Sequence, residues 1–188
     1  AFATHRGTGE EAAIVVATMT SIRWINELSP GPLNISCVPL MGGASALGLG
    51  LALAQPERQV VVLDGDGSLL MQLGSLVTIA GAAPRNFTHI VFNNGVWFEN
   101  LVNLSVPGTG HTDYAGLATA TGFASAHCFD TLSGWSDALP ALLAADGPSF
   151  VELVVTPERD ALWTRDAPQP DLPEAQFEQY LIRYLFVL

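Results

Sequence analysis

The chain has 188 residues, 49% of them hydrophobic, which is enough for one substantial core and too little for two ordinary ones, so a single domain over 1–188 is expected. Eighteen acidic against seven basic residues leave a net charge of −11, a balance that repels phosphodiester backbones and anionic lipid and so argues against nucleic acid and membrane partners. There is no run of eighteen apolar residues and no signal-like start, which makes the cytoplasm the expected compartment.

The two cysteines, Cys37 and Cys128, are far apart and lie in apolar stretches. They are expected to be buried thiols, and they cannot assemble an iron–sulfur cluster or a zinc knuckle by themselves.

Thr8 and Glu11 have the form of a capping box, and Val15, Met19, Ile22 and Ile25 recur at helical spacing up to Pro30. The pattern predicts a helix over about 9–28. Ile35 to Val38 reads as a short strand, and the small residues from Gly42 through Gly50 to Ala54 read as a helix packed unusually close to its neighbours. Val60 to Leu63 is apolar without alternation, as in a parallel strand covered on both faces. Helical sequence resumes from Leu69 to Ala83 in two pieces around Gly74 and Ser75, and a second buried strand runs from His89 to Phe92.

Asp113 is placed to cap a helix reaching Thr121, Ser125 to Phe129 reads as a strand, and Ser133 is placed to cap a helix through Leu142. Asp146-Gly147-Pro148 turns the chain into a last strand, Phe150 to Val155. A proline-rich tail then precedes a closing helix with Phe177, Leu181, Tyr184 and Leu185 on one face. Alternating strands and helices of this kind predict an α/β fold, a three-layer open and mostly parallel sheet with helices on both faces. Ligands of such sheets bind beyond the carboxyl ends of the strands.

Two polar clusters fall at such ends. In the first, Gly65, Asp66, Gly67 and Ser68 combine a carboxylate, two glycines and a hydroxyl. That combination offers a hard oxygen ligand for Mg²⁺ beside backbone N–H groups for phosphate, with glycine allowing close approach. The second cluster, Asn93-Asn94-Gly95, adds an amide oxygen, with a loop carbonyl just after it.

Gly65-Asp66-Gly67, then 25 residues, then Asn93-Asn94 resembles the signature of thiamine-diphosphate-dependent enzymes. The upstream Met41-Gly42 and the Gly48-Leu49-Gly50 helix are similar to their diphosphate-binding domain, with the resemblance running from about Ser36 to Val155. It implies thiamine diphosphate and Mg²⁺ as cofactors, with Asp66, Asn94 and the Val96 carbonyl as metal ligands. It also implies that Gly65, Gly67 and Ser68 hold the diphosphate, that Met41 and Gly42 lie near the aminopyrimidine, and that Leu70 or Met71 touches the cofactor from below.

Within the family, GLGLALAQPERQVVVLDGDGSLLMQLGSLVTIA most resembles the β chains of phosphonopyruvate and sulfopyruvate decarboxylases. The loop after Gly95 departs from theirs: Val96-Trp97-Phe98-Glu99-Asn100-Leu101 replaces a small residue, Tyr-Glu and a glycine-rich stretch. The identity of the 2-oxo acid substrate is therefore left open. The activating glutamate of the family comes from a separate pyrimidine-binding domain, which implies a partner subunit, a hetero-oligomer and an active site at the interface. Two alternatives stand beside decarboxylation: an acetolactate-synthase-like carboligase subunit, and a cofactor-binding module without catalysis.

Among single residues, Glu99 is the first carboxylate past the metal loop and a candidate proton donor, with a solvated surface role as the plainer reading. Trp97, counted among the cofactor-binding residues, and Phe98 read either as an apolar substrate wall or as an anchor for the partner. Asn93 is expected to bond the loop backbone, Asp64 to cap or to form an ion pair, and His89 to be a hydrogen-bonded core histidine. His5 and His111 sit in expected loops, where a catalytic role competes with a simple surface one. No GxGxxG follows the first expected strand, so a nicotinamide-binding fold is disfavoured.

Overall fold

The computed structural model describes residues 2–7, 12–99 and 102–157. Thr8, Glu11 and the expected closing helix around Phe177 to Leu185 lie outside the described residues. The chain runs β1 (Ile14–Ala17), α1 (Met19–Leu28), β2 (Asn34–Ser36), α2 (Ala44–Ala54), β3 (Val60–Gly65), α3 (Asp66–Met71), α4 (Ser75–Ala82) and β4 (Phe87–Asn93). It continues with β5 (Val96–Glu99), β6 (Val102–Ser105), α5 (Tyr114–Thr121), β7 (Ser125–Phe129), α6 (Leu132–Ala144) and β8 (Ser149–Val154). Six strands form one parallel sheet in the order β2-β1-β3-β4-β8-β7, and β5 and β6 form a separate antiparallel pair.

The sheet is covered on both sides, which is why its strands are apolar throughout. Val60 and Val62 of β3 join Phe87, Val91 and Phe150 in a core closed by Leu49, Leu76, Ile79 and Ala118 from α2, α4 and α5. Val61 and Leu63 point the other way and meet Ile90 and Val151, under Ile25 of α1 and Leu139 of α6. Three layers result, as the strand pattern predicts. Each fully buried Val or Leu stabilises this arrangement by roughly 1.5–3 kcal/mol.

α2 comes close to the sheet because Gly48 has no side chain. A Cβ there would stand 2.3 Å from Cγ2 of Val62 and 3.2 Å from Cε2 of Phe87. The Ser45 and Ser75 hydroxyls, 2.9 Å apart and buried, tie α2 to α4.

Three expectations need correction. The predicted helix over 9–28 is a strand followed by a shorter helix. Ile14 to Ala17 are at most 6% exposed and pair with β2 and β3 in the middle of the sheet, so burial on both faces overrides the helical spacing. The break falls at Thr18, which is extended, and α1 keeps only the Met19-to-Leu28 part of the pattern. In α6 the cap is Thr131, whose hydroxyl accepts from the Gly134 N–H, and Ser133 lies inside the helix. Cys37 is buried, but Cys128 is exposed, because β7 is the edge strand of the sheet.

Among the described residues no helix is long and apolar enough to cross a membrane.

Candidate functional site

β3 and β4 are neighbours in register, with Gly65 opposite Phe92. Both polar clusters therefore leave the sheet at the same level and on the same edge. Gly65 is extended, and α3 begins immediately at Asp66, three residues earlier than the apolar pattern suggests. Asp66 is 2% exposed. Its Oδ1 accepts from the Gly67 N–H at 2.9 Å and its Oδ2 from the Gly95 N–H at 2.8 Å, so this carboxylate physically joins the two loops.

Burial pushes the Asp66 carboxyl above its ordinary range, the Gly67 and Gly95 N–H groups pull it back, and the nearby Asp64 carboxylate adds to the rise. Each carboxylate oxygen keeps a lone pair beyond its backbone bond. Asn94 Oδ1 accepts from the Val96 N–H at 3.0 Å and likewise retains acceptor capacity.

The β5–β6 pair orients the third oxygen. The Gly95 carbonyl accepts from the Val106 N–H at 3.0 Å, so in this ladder the hydrogen-bonded pairs are 95/106 and 97/104, and Val96 opposite Ser105 falls in the non-bonded position. The Val96 carbonyl is thereby turned away from β6. Gly95 needs its glycine: φ is +71°, and a Cβ would meet Cγ2 of Thr109 at 2.8 Å.

The upstream loop belongs to the same place. The Gly42 N–H donates to Oγ of Ser68 at 2.9 Å, and Gly42 (φ +83°) lies against Met71 and Gln72. Met41 is half-buried beside it, and Met71 is exposed. Around Gly65 there is open space where a side chain would stand. Gly67 is different from what the sequence suggests: a Cβ there would lie 1.6 Å from Nε1 of Trp97, so the close approach that this glycine permits is made by an indole of the same chain.

Of the residues singled out from the sequence, Met41, Gly42, Gly65, Asp66, Gly67, Ser68, Asn94, Val96 and Trp97 come together at this edge. Glu99 ends β5 and its side chain lies outside the described residues. His5 and His111 are exposed. Asp64 forms a pair with His89, Oδ2 to Nε2 at 3.2 Å, both fully buried beneath the first cluster. Among the described residues no group of three or more His, Cys, Asp and Glu side chains is arranged to hold a metal. The set expected from the sequence, Asp66, Asn94 and the Val96 carbonyl, contains only one such side chain and falls outside that criterion.

Two residues were missed by sequence reasoning. Glu152 on β8 is 3% exposed; its Oε1 accepts from Nδ2 of Asn93 at 2.7 Å and its Oε2 from the Ala115 N–H at 3.1 Å. Asn93 therefore bonds a buried carboxylate rather than the loop backbone. Tyr114 is buried nearby, its phenol pushed up to about 12 by burial first and then by the Asp66 and Glu152 carboxylates. A charged residue inside an apolar strand, as in Phe150-Val151-Glu152-Leu153, is the signal that would have marked Glu152.

The family model for the thiamine pyrophosphate enzyme, C-terminal TPP binding domain, matches residues 16–153. Phosphonopyruvate decarboxylase of Streptomyces viridochromogenes is 40% identical over 147 residues, covering 78% of this chain and 36% of that protein. Sulfopyruvate decarboxylase subunit beta of Methanothermobacter thermautotrophicus is 32% identical over 177 residues, 94% of this chain and 89% of that subunit. The chain thus spans about a third of the Streptomyces protein and most of the archaeal subunit. The crystal structure of benzoylformate decarboxylase from Polynucleobacter necessarius shares the fold, with a TM-score of 0.66 at 22% identity over 80% of this chain and 31% of that one. By its matched residues and its fold, this chain belongs to the thiamine pyrophosphate enzymes and carries their C-terminal TPP-binding domain.

Proposed function

We propose that this chain is the diphosphate- and Mg²⁺-binding subunit of a thiamine-diphosphate-dependent 2-oxo acid decarboxylase of the phosphonopyruvate and sulfopyruvate kind. The observation that carries this reading is the Asp66 carboxylate, held between the N–H groups of Gly67 and Gly95 at the ends of adjacent parallel strands. It stands beside an amide oxygen from Asn94 and a carbonyl from Val96, a hard-oxygen set of the type Mg²⁺ prefers when phosphates and water complete its octahedron. In this reading Asp66, Asn94 and Val96 hold the metal, Gly65 and Ser68 face the diphosphate, Gly67 lies under the Trp97 indole, and Met41 and Gly42 lie near the aminopyrimidine.

When bound, thiamine diphosphate supplies the electron sink that lets carbon dioxide leave a 2-oxo acid. The work of this chain is to clamp one end of the cofactor and to keep water from it. The activating glutamate belongs to a partner chain with a pyrimidine-binding domain, and the active site is shared between the two. The likeness to a beta subunit over 89% of its length supports a two-chain enzyme. So does the surface of α2 and α4, helices without a single charged residue. They leave Leu47, Leu53 and Val77 exposed by 40%, 56% and 61%, an apolar face of the kind a partner covers.

Calorimetric titration with thiamine diphosphate tests the reading. Binding is expected with Mg²⁺ and not with a chelator, and Asp66→Ala is expected to abolish it while the far-UV circular dichroism and cooperative melting stay intact. Equal affinity with and without the divalent ion, or an unchanged affinity in Asp66→Ala, refutes the assigned ligand set.

A further inference from the structure

Among the described residues, Nε1 of Trp97 is buried without a hydrogen-bond partner, as are Nε of Arg6 and Nδ1 of His89. The last two belong to groups bonded through their other nitrogens, Arg6 to Asn34, Ala13 and Ser29, and His89 to Asp64. The indole has one polar atom, and it is a donor only. Its seat on Gly67 satisfies that donor with nothing and leaves no room for an acceptor. Nε1, Cδ1 and Cε2 of the ring are the three atoms nearest to where a Gly67 Cβ would stand, at 1.6, 2.0 and 2.9 Å.

The seat lies in the path of the ligand. Gly67 stands between Gly65 and Ser68, the two residues that face the diphosphate in the reading given above. Open space surrounds Gly65, but a group reaching from there to the Ser68 hydroxyl must cross the Gly67 backbone, where the ring stands. Ring and ligand therefore exclude each other. The ring is also weakly held. Seated, it buries apolar surface and strands its N–H; turned out, it gives up the burial and returns the N–H to water, so the two states differ little. Trp97 is only half-buried as a whole, and its main chain is paired with Leu104. Rotation about the side-chain torsions exchanges the two states while β5 stays in place.

We propose that the Trp97 indole is an autoinhibitory plug: without ligand it occupies the Gly67 backbone, and the diphosphate end of a ligand binds only after the ring has turned out. This rests on the reading that the two loops bind Mg²⁺ and a diphosphate, and adds to it a conformational step. The apparent affinity is the intrinsic affinity reduced by the fraction of chains whose ring is out. Removing the side chain therefore strengthens binding, which is opposite to the effect expected of a residue that contacts the ligand.

The test uses the full chain, with inorganic pyrophosphate plus Mg²⁺ as the probe and thiamine diphosphate plus Mg²⁺ as the second ligand. In calorimetric titrations Trp97→Ala is expected to bind both about ten- to a hundredfold more tightly than the parent chain, as for a turned-out state populated at roughly 1–10%. In ¹⁵N-labelled chain, Trp97→Phe assigns the Trp97 indole signal among the four tryptophans by its disappearance. Exchange of that N–H with water is expected to accelerate by a similar factor at saturation with either ligand, and not with Mg²⁺ alone. Gly67→Ala puts a methyl where the ring sits, so its Trp97 N–H is expected to exchange fast without any ligand.

A Trp97→Ala variant that binds no more tightly than a binding-competent parent chain overturns the proposal and leaves the metal and diphosphate reading standing. So does an exchange rate that saturation leaves unchanged, or slow exchange in Gly67→Ala. Binding by Trp97→Ala where the parent binds too weakly to measure upholds both. Failure of parent and variant alike to bind either ligand overturns the underlying reading and this proposal with it.

Discussion

Glu152 is the residue whose removal tests the architecture of the site most directly. Its carboxylate is 3% exposed and receives two hydrogen bonds, from the Asn93 amide at 2.7 Å and from the Ala115 N–H at 3.1 Å. It thus pins the loop that carries Asn94 to the first turn of α5. Each bond to a charged acceptor contributes about 1.5–3 kcal/mol, and truncation removes both from partly buried donors, so Glu152→Ala should cost up to about 3–6 kcal/mol. Against a domain stability of about 5–15 kcal/mol that is a large share.

Glu152→Gln keeps the shape. Its Oε1 can take the Ala115 N–H while its amide meets an Asn93 side chain flipped to present Oδ1, which brings the cost down to about 1–2 kcal/mol. Urea unfolding measures both, read from the midpoint at constant slope. Asn93→Ala closes a double-mutant cycle with Glu152→Ala, in which the pair should cost about 1–3 kcal/mol less than the sum of the single changes. Strict additivity, or a Glu152→Ala cost within about 0.5 kcal/mol of zero, would refute the claim that Glu152 holds the loop.

Two glycines of α2 should respond in opposite directions. Gly48→Ala forces a methyl into Val62 and Phe87 and should destabilise by about 1–3 kcal/mol, whereas Gly50→Ala faces open space and should gain up to about 1 kcal/mol of helix propensity; thermal melts of the two variants decide it. Tyr114 should remain protonated to about 12 while the fold persists. Because its folded value is raised above the ordinary 10, the stability it contributes is fully present below 10 and is lost as the pH climbs through the folded value. Absorbance at 295 nm should show a late-ionising tyrosine that Tyr114→Phe removes, and ionisation near 10 in the folded chain would contradict the buried position.

Much of the fold was legible in the chain because burial on both faces of a parallel strand leaves an apolar run without alternation, as in Val60 to Leu63 and in His89 to Phe92. That the two polar loops meet was legible for a related reason. Asp66 and Asn94 each end such a run, and their spacing in sequence reflects one strand–helix–strand unit. What the chain did not reveal depends on contacts between residues distant in sequence. Ile14 to Ala17 satisfies a helical spacing as well as a strand, and only its place between β2 and β3 decides between them. Glu152 looks like an isolated charge until β8 is set beside β4. Gly67 reads as room for a ligand until the β5–β6 hairpin brings Trp97 onto it. Local patterns determine which segments become strands and where polar residues end them; which buried donor meets which acceptor is decided by tertiary packing, because a hydrogen bond depends on distances of a few tenths of an ångström that no local pattern encodes.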